Sequence, residues 1–192
     1  MIKNICVFCS SSDDLAERYY EVAVSLAEVL AENNFNLIHG AGSIGLMGVL
    51  MRRCNDLGVQ ITGVVPEKLN KSHIVCDKSQ KIVVTNDMKE RKEYMRQNSE
   101  AFIALPGGFG TLEELMEVIT LKQLKYHSKP IVIINTCNFY DNLLEHFEIM
   151  YSQKFANDSY RSLYYIANAP GDAINYIKNY RHSNVYDKYL RE

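Results

Sequence analysis

A chain of 192 residues, 47% hydrophobic and 23% charged, is sized for one domain (1–192) with a full core. Its net charge of -2, with scattered positives crowded only at Lys89 to Arg96 among alternating acids, argues against nucleic acid or an anionic membrane as partner. No apolar run approaches the roughly 20 residues that cross a bilayer. Met1 to Asn4 enters a strand pattern at once without a leader's hydrophobic region, so a cytoplasmic protein is expected.

Ile2 to Cys9 reads as an apolar strand ending in the polar turn Ser10-Ser11-Ser12-Asp13. Leu15, Tyr19, Val22, Leu26, Val29 and Leu30 recur at helical spacing, which predicts a helix from about Asp14 to Glu32. Phe35 to His39 is a second strand, and Gly40-Ala41-Gly42-Ser43-Ile44-Gly45 opens a helix through about Leu57. A third strand, Val59 to Val65, stops at Pro66; a polar irregular segment, Glu67 to Ser79, leads to a fourth, Lys81 to Val84. Asn86 and Asp87 cap a helix to about Gln97, and Ala101 to Leu105 is a fifth, fully apolar strand. It runs into Pro106-Gly107-Gly108-Phe109-Gly110-Thr111 and a helix with apolar Leu112, Leu115, Met116, Ile119 and Leu124. A sixth strand (Pro130 to Asn135), a helix (Tyr140 to Tyr151), a seventh strand (Leu163 to Ala167) and a helix begun by Pro170 follow. The polar tail, Arg181 to Glu192, carries Tyr186 and Tyr189.

Strands without strong alternation, each followed by an amphipathic helix, predict an α/β, Rossmann-like, doubly wound fold. Its mostly parallel sheet has about seven strands and helices on both faces. Ligands of such sheets bind at the carboxyl ends of the strands, where all three glycine-rich or polar turns fall. Five cysteines, an odd number, do not form a disulfide framework. Cys6 and Cys9 match C-x-x-C, yet three residues apart on a strand they face opposite sides, so both read as buried and inert. His73 and Cys76 lack companions at metal-ligand spacing, and neither a metal nor a redox cofactor is expected.

Gly107, Gly108 and Gly110, between a buried strand and a helix, form a main-chain anion site. Unpaired N–H groups and the positive helix end meet there, and glycine lets a phosphate approach the backbone. The alternative is a tight turn that needs glycine for geometry alone. Gly40, Gly42 and Gly45 match the dinucleotide pattern G-x-G-x-x-G, but after the second strand and without a well-placed acid. They read better as a turn lining the same pocket, with Ser11 beside them, than as a dehydrogenase fingerprint. Thr111-Leu112-Glu113-Glu114 fits a capping box, which would make Glu114 a helix-starting device. Held ionised by the helix dipole, it would equally serve as a fixed charge beside a developing cation or as a base toward water. Spacing does not decide whether Glu113 or Glu114 faces the pocket. Arg91 shares a helical face with Met88 and Met95, which leaves two readings: a snorkelling surface arginine, or a buried one with an anionic partner.

Met88-Lys89-Glu90-Arg91-Lys92, followed by Ala101-Phe102-Ile103-Ala104-Leu105-Pro106-Gly107-Gly108-Phe109-Gly110-Thr111-Leu112-Glu113-Glu114, resembles the paired signature of the LOG (Lonely Guy) family. Val7-Phe8-Cys9-Ser10-Ser11-Ser12, Gly45-Leu46-Met47-Gly48, Gly63-Val64-Val65-Pro66 and Phe139-Tyr140 fall in the family's order. The resemblance implies a usually homodimeric enzyme that hydrolyses the N-glycosidic bond of an N6-substituted adenosine 5'-monophosphate to free base and ribose 5-phosphate. It implies Arg91 and Glu114 as the catalytic pair. Substrate contacts would come from Arg91, Lys92, Gly107, Gly108, Phe109, Gly110, Thr111, Leu112, Glu113, Glu114 and Thr120, with Ser11, Gly40, Gly42, Gly45 and Met88 lining the pocket. Two departures matter. Ala41 interrupts the family's glycine triplet, a small change that would crowd the ribose side, and His73 stands where an acid is common, which bears on base preference more than on the reaction type. The competing readings are a nucleosidase for plain AMP, a non-catalytic nucleotide or cofactor carrier on the same fold, and the dehydrogenase.

Overall fold

The computed structural model of the protein describes residues 2–71, 74–75 and 79–182. His73, Cys76 and the tail tyrosines 186 and 189 lie outside the described residues.

Seven strands, β1 (Asn4–Phe8), β2 (Asn36–His39), β3 (Ile61–Pro66), β4 (Lys81–Thr85), β5 (Ala101–Ala104), β6 (Ile131–Ile134) and β7 (Tyr165–Ala167), form one sheet in the order β4-β3-β2-β1-β5-β6-β7. Every strand pairing in it is parallel. The chain winds outward from β1 to β4, then returns to place β5 on the other side of β1. That reversal opens a crevice at the carboxyl ends of β1 and β5.

The alternation within each strand feeds two cores, so continuous apolar runs are required. Ile5 and Val7 of β1, with Leu37, Ile103 and Val132, face α1 (Glu17–Glu32), α2 (Gly45–Asp56) and α6 (Pro170–Asn179). Cys6 and Phe8, with Ile38, Phe102 and Ile133, face α3 (Met88–Gln97), α4 (Phe109–Gln123) and α5 (Asp141–Ser152). The helices thus cover both faces of the sheet. Cys6 and Cys9 fall in opposite cores, and burial pushes both thiols well up, so neither is a thiolate.

Differences from the sequence reading gather at the carboxyl edge. α1 starts at Glu17 rather than near Asp14, because Asp14 takes a left-handed backbone (φ 63°) and the Asp13 carboxylate accepts from Gly45 N–H at 2.9 Å. The Gly40 to Gly45 segment leads into α2 at its last glycine, with Ala41 (φ 62°) and Gly45 (φ 62°) turning the chain between β2 and the helix. The third strand includes Pro66, which pairs with Thr85 at the ladder's last rung.

Two buried histidines make stability depend on pH. His39, fully buried at the end of β2, is lowered to about 3 by desolvation and then by the nearby Arg91 charge; His127 is lowered to about 4, chiefly by desolvation. The unfolded chain protonates both near 6.5, the folded one does not, so stability is full above that value and is lost as pH falls toward 3. The His39 contribution alone should shrink by on the order of 2 kcal/mol by pH 5. Urea unfolding at pH 7.5 and pH 5 checks this. His39→Gln should flatten the decline, and an unchanged midpoint in the native chain would contradict it.

Candidate active site

At the crevice lies a cavity of ≈ 480 Å³, a volume suited to a mononucleotide-sized ligand. Its floor comes from Cys9 to Ser12 after β1 and from Gly40 and Gly42 after β2. Gly108, Gly110 and Thr111 of the α4 start form one side, and Val65, Pro66, Leu69, Ile74 and Met88 an apolar one.

Between them sits a buried ion pair. Arg91 leaves the first turns of α3, whose cap is Asp87 accepting from Glu90 N–H at 2.8 Å, so the arginine has no capping duty. Only 7% exposed, it donates from Nε to the Val64 carbonyl at 3.0 Å and from Nη1 to Glu114 Oε1 at 2.6 Å. That rules out the snorkelling reading. Burial raises the Glu114 carboxyl above the usual carboxylate range, with the Arg91 charge and hydrogen bond working against that rise. Desolvation is thus the largest influence on this carboxyl, ahead of the Arg91 charge and hydrogen bond that favour its ionised form.

The capping box is corrected too. α4 begins at Phe109 with Gly108 as its cap residue and no side-chain cap bond, so Thr111 lies inside the first turn. Two consequences follow. The first-turn N–H groups remain available to a ligand at the cavity wall, and the Glu114 carboxylate is engaged with Arg91 rather than with its own helix start. Among the described residues, a Cβ added at Gly108 or Gly110 would meet nothing within 4 Å, which leaves space beside this helix end.

Gly40 and Gly45 have packing reasons of their own. A Cβ on Gly40 would stand 2.1 Å from Arg91 Nη2, so the glycine admits the guanidinium across the end of β2. Gly45 combines a positive φ with an approach to Ser11 and Ser12 whose Cβ would lie 2.6 Å from the Ser12 carbonyl. The dinucleotide-like spacing is thus explained by the ion pair and the β1 turn.

Of the residues singled out in the sequence, Ser11, Gly40, Gly42, Met88, Arg91, Gly108, Gly110, Thr111, Glu113 and Glu114 line the cavity. The others lie outside its lining. Gly107 packs against Thr111, Gly45 supports Ser12, Leu112 packs on the core beneath, and Phe109 is 92% exposed. Lys92 is paired with Glu113 and, at 3.3 Å, with Glu117. Thr120 is exposed farther along α4. Glu113 has a 55% exposed side chain and pairs with Lys92, whereas Glu114 is the carboxylate that Arg91 holds inside. Ser10 and Ser12, in the turn that the sequence places at the ligand end of the sheet, line the cavity as well, whereas Cys9, Met47, Val65, Pro66, Leu69 and Ile74 were not singled out as lining residues. Their signal was position after a strand for some, while Leu69 and Ile74 carry none.

A family model described as "Possible lysine decarboxylase" matches residues 47–177. The cytokinin riboside 5'-monophosphate phosphoribohydrolase LOG2 of Arabidopsis thaliana is 39% identical over 168 residues, 88% of this chain and 78% of that protein. The probable cytokinin riboside 5'-monophosphate phosphoribohydrolase LOGL6 of Oryza sativa subsp. japonica is 37% identical over 188 residues, 97% and 75% of the two chains. The chain belongs to the LOG family. Among solved structures, the molybdenum cofactor carrier protein of Chlamydomonas reinhardtii matches this LOG-family chain with a TM-score of 0.71 at 22% identity, covering 93% of this chain and 97% of the other. At that identity the likeness speaks for the fold alone. A lysine decarboxylase would need a lysine poised to form a Schiff base with pyridoxal phosphate. Among the described residues no lysine lines the cavity, and Lys92 is held by two glutamates, so these residues do not fit that group.

Proposed function

We propose that the protein hydrolyses the N-glycosidic bond of adenosine 5'-monophosphates, N6-modified ones above all, releasing free base and ribose 5-phosphate. The observation that carries the reading is the buried Arg91–Glu114 pair beside an uncapped helix start in one cavity. The 5'-phosphate rests on the first-turn N–H groups of α4 at Gly108 to Thr111. As the C1'–N9 bond lengthens, positive charge grows on the ribose, and the Glu114 carboxylate stabilises it and orients a water. The water's oxygen bonds to C1', and its protons leave one on the sugar hydroxyl and, in net, one on the departing base. Arg91 holds Glu114 in register, a task suited to a planar forked donor. The apolar wall of Pro66, Leu69, Ile74 and Met88 favours an alkylated base over plain adenine.

The chain 1–192 acts as one domain in the cytoplasm, and as a homodimer. Exposed Phe109 and Leu124, at the two ends of α4, supply apolar surface for a second copy to cover. Sedimentation at twice the 22.0 kDa chain mass supports the dimer, and a single-chain mass removes it.

Chromatography of products from a panel of nucleoside monophosphates tests the function. Base release at least about 10-fold faster from N6-isopentenyl-AMP than from AMP is expected, as burial of a five-carbon group allows. The reverse preference would make the protein an AMP nucleosidase. Tight binding without product would make it a carrier.

A further inference from the structure

The β5–β6 ladder ends at Ala104 opposite Ile133, one residue before the chain turns toward Pro106 and Gly107. Leu105 still donates its N–H to Phe8 O at 2.9 Å, but its carbonyl lies beyond the last β6 rung. A buried carbonyl at a strand end needs a donor. The donor comes from another element: the phenol of Tyr140, 2% exposed, donates to Leu105 O at 2.7 Å.

The placement of that phenol is costly in backbone conformation. Cys137 (φ 54°) and Asn138 (φ 62°) are consecutive non-glycine residues in the left-handed region, between β6 and α5. Asn135 fastens the bend, accepting from Tyr140 N–H at 2.8 Å and donating to Asp141 at 2.7 Å. On the far side of the same turn, Ser10 N–H donates to Pro106 O at 3.2 Å. Thr111 packs into the space that a Cβ on Gly107 would fill. The turn from β5 into α4 is thus pinned at two consecutive carbonyls, one of them by Tyr140.

We propose that Tyr140 is a positioning residue for the phosphate site: its hydroxyl fixes the Leu105 carbonyl, and with it the direction in which the α4 first turn presents its N–H groups. The inference rests on the reading of that helix start as the phosphate cradle. It predicts that loss of one oxygen, outside the cavity lining, weakens phosphate recognition specifically.

The test compares Tyr140→Phe with the native chain and with Tyr151→Phe. The last removes another largely buried phenol, which contacts Tyr164 at 3.2 Å and lies away from the turn. Ribose 5-phosphate and inorganic phosphate serve as competitive inhibitors. Tyr140→Phe should raise KM for the nucleoside monophosphate and the inhibition constant of both anions about 10-fold, with kcat changed less than 3-fold. Tyr151→Phe should lower the melting temperature and leave those constants alone. Asn135→Ala, which loosens the bend and keeps the phenol, should shift the inhibition constants the same way by a smaller factor, and covers the case in which Tyr140→Phe does not fold. Unchanged inhibition constants in Tyr140→Phe, or in Asn135→Ala where that is the variant available, would overturn the role of Tyr140 while the cradle stands. Failure of either anion to inhibit the native chain would overturn the cradle reading and this inference with it.

Discussion

Glu114→Gln is expected to lower base release from nucleoside monophosphates by about 10²–10⁴-fold, the range seen when a catalytic base or a stabilising charge is removed. The amide keeps its shape and can still accept from Arg91 Nη1, so the fold should survive with a loss of about 1–3 kcal/mol. Glu114→Ala differs. It leaves a guanidinium 7% exposed without the carboxylate it is paired with, a change that costs about 3–5 kcal/mol. The pH profile supplies a second readout. Because burial lifts the carboxyl above its ordinary 4.5, the acid limb of kcat in the native chain should lie above that value, activity rising as Glu114 ionises. Gln should abolish that limb together with the rate. Native-like turnover in Glu114→Gln would refute the assignment.

Gly40→Ala is the second large effect. The added Cβ would stand 2.1 Å from Arg91 Nη2 and 3.2 Å from Met47 Cε. Arginine ends are often free to swing, but this one is tied to Val64 O and to Glu114, so the new methyl must displace the pair. A shift of about 1 Å in a positioned group costs on the order of 10²-fold in rate. The expectation is such a fall in kcat/KM with a folded, slightly destabilised protein. Gly171→Ala, whose Cβ meets nothing within 4 Å, is the matched control and should leave activity unchanged. Equal activity in both would show that the guanidinium is less constrained than its partners imply.

The fold was legible because the two cores demand what the sequence displays. Strands such as Ile131–Ile134 are apolar on both faces, and the helices between strands carry one apolar stripe each. The carboxyl edge was less legible, since its geometry is set by contacts between distant residues. Asp13 delays the start of α1 by reaching Gly45, 32 positions away. Thr111-x-x-Glu114 has the letters of a capping box, yet the helix begins earlier, because Gly107 accepts the threonine side chain against it and Arg91, 23 positions back, takes the carboxylate. Spacing alone left Glu113 and Glu114 equivalent. The family resemblance pointed to Glu114, and the fold supplies the physical reason, directing Glu113 to Lys92 at the surface and Glu114 to Arg91 in the interior. The glycines of residues 40 to 45 carried a dinucleotide pattern for reasons of packing, and no local reading of that turn includes an arginine from α3.

The central claim is that a phosphate held at the start of α4 sets the ribose carbon against the Arg91–Glu114 pair. Parallel measurement of kcat/KM for a nucleoside 5'-monophosphate and for the same nucleoside without its phosphate tests it most directly. The account predicts equimolar free base and ribose 5-phosphate from the nucleotide, and a rate at least about 10³-fold lower for the nucleoside, since remote binding energy positions the reacting bond. Equal rates on the two, or no base from any monophosphate, would contradict it.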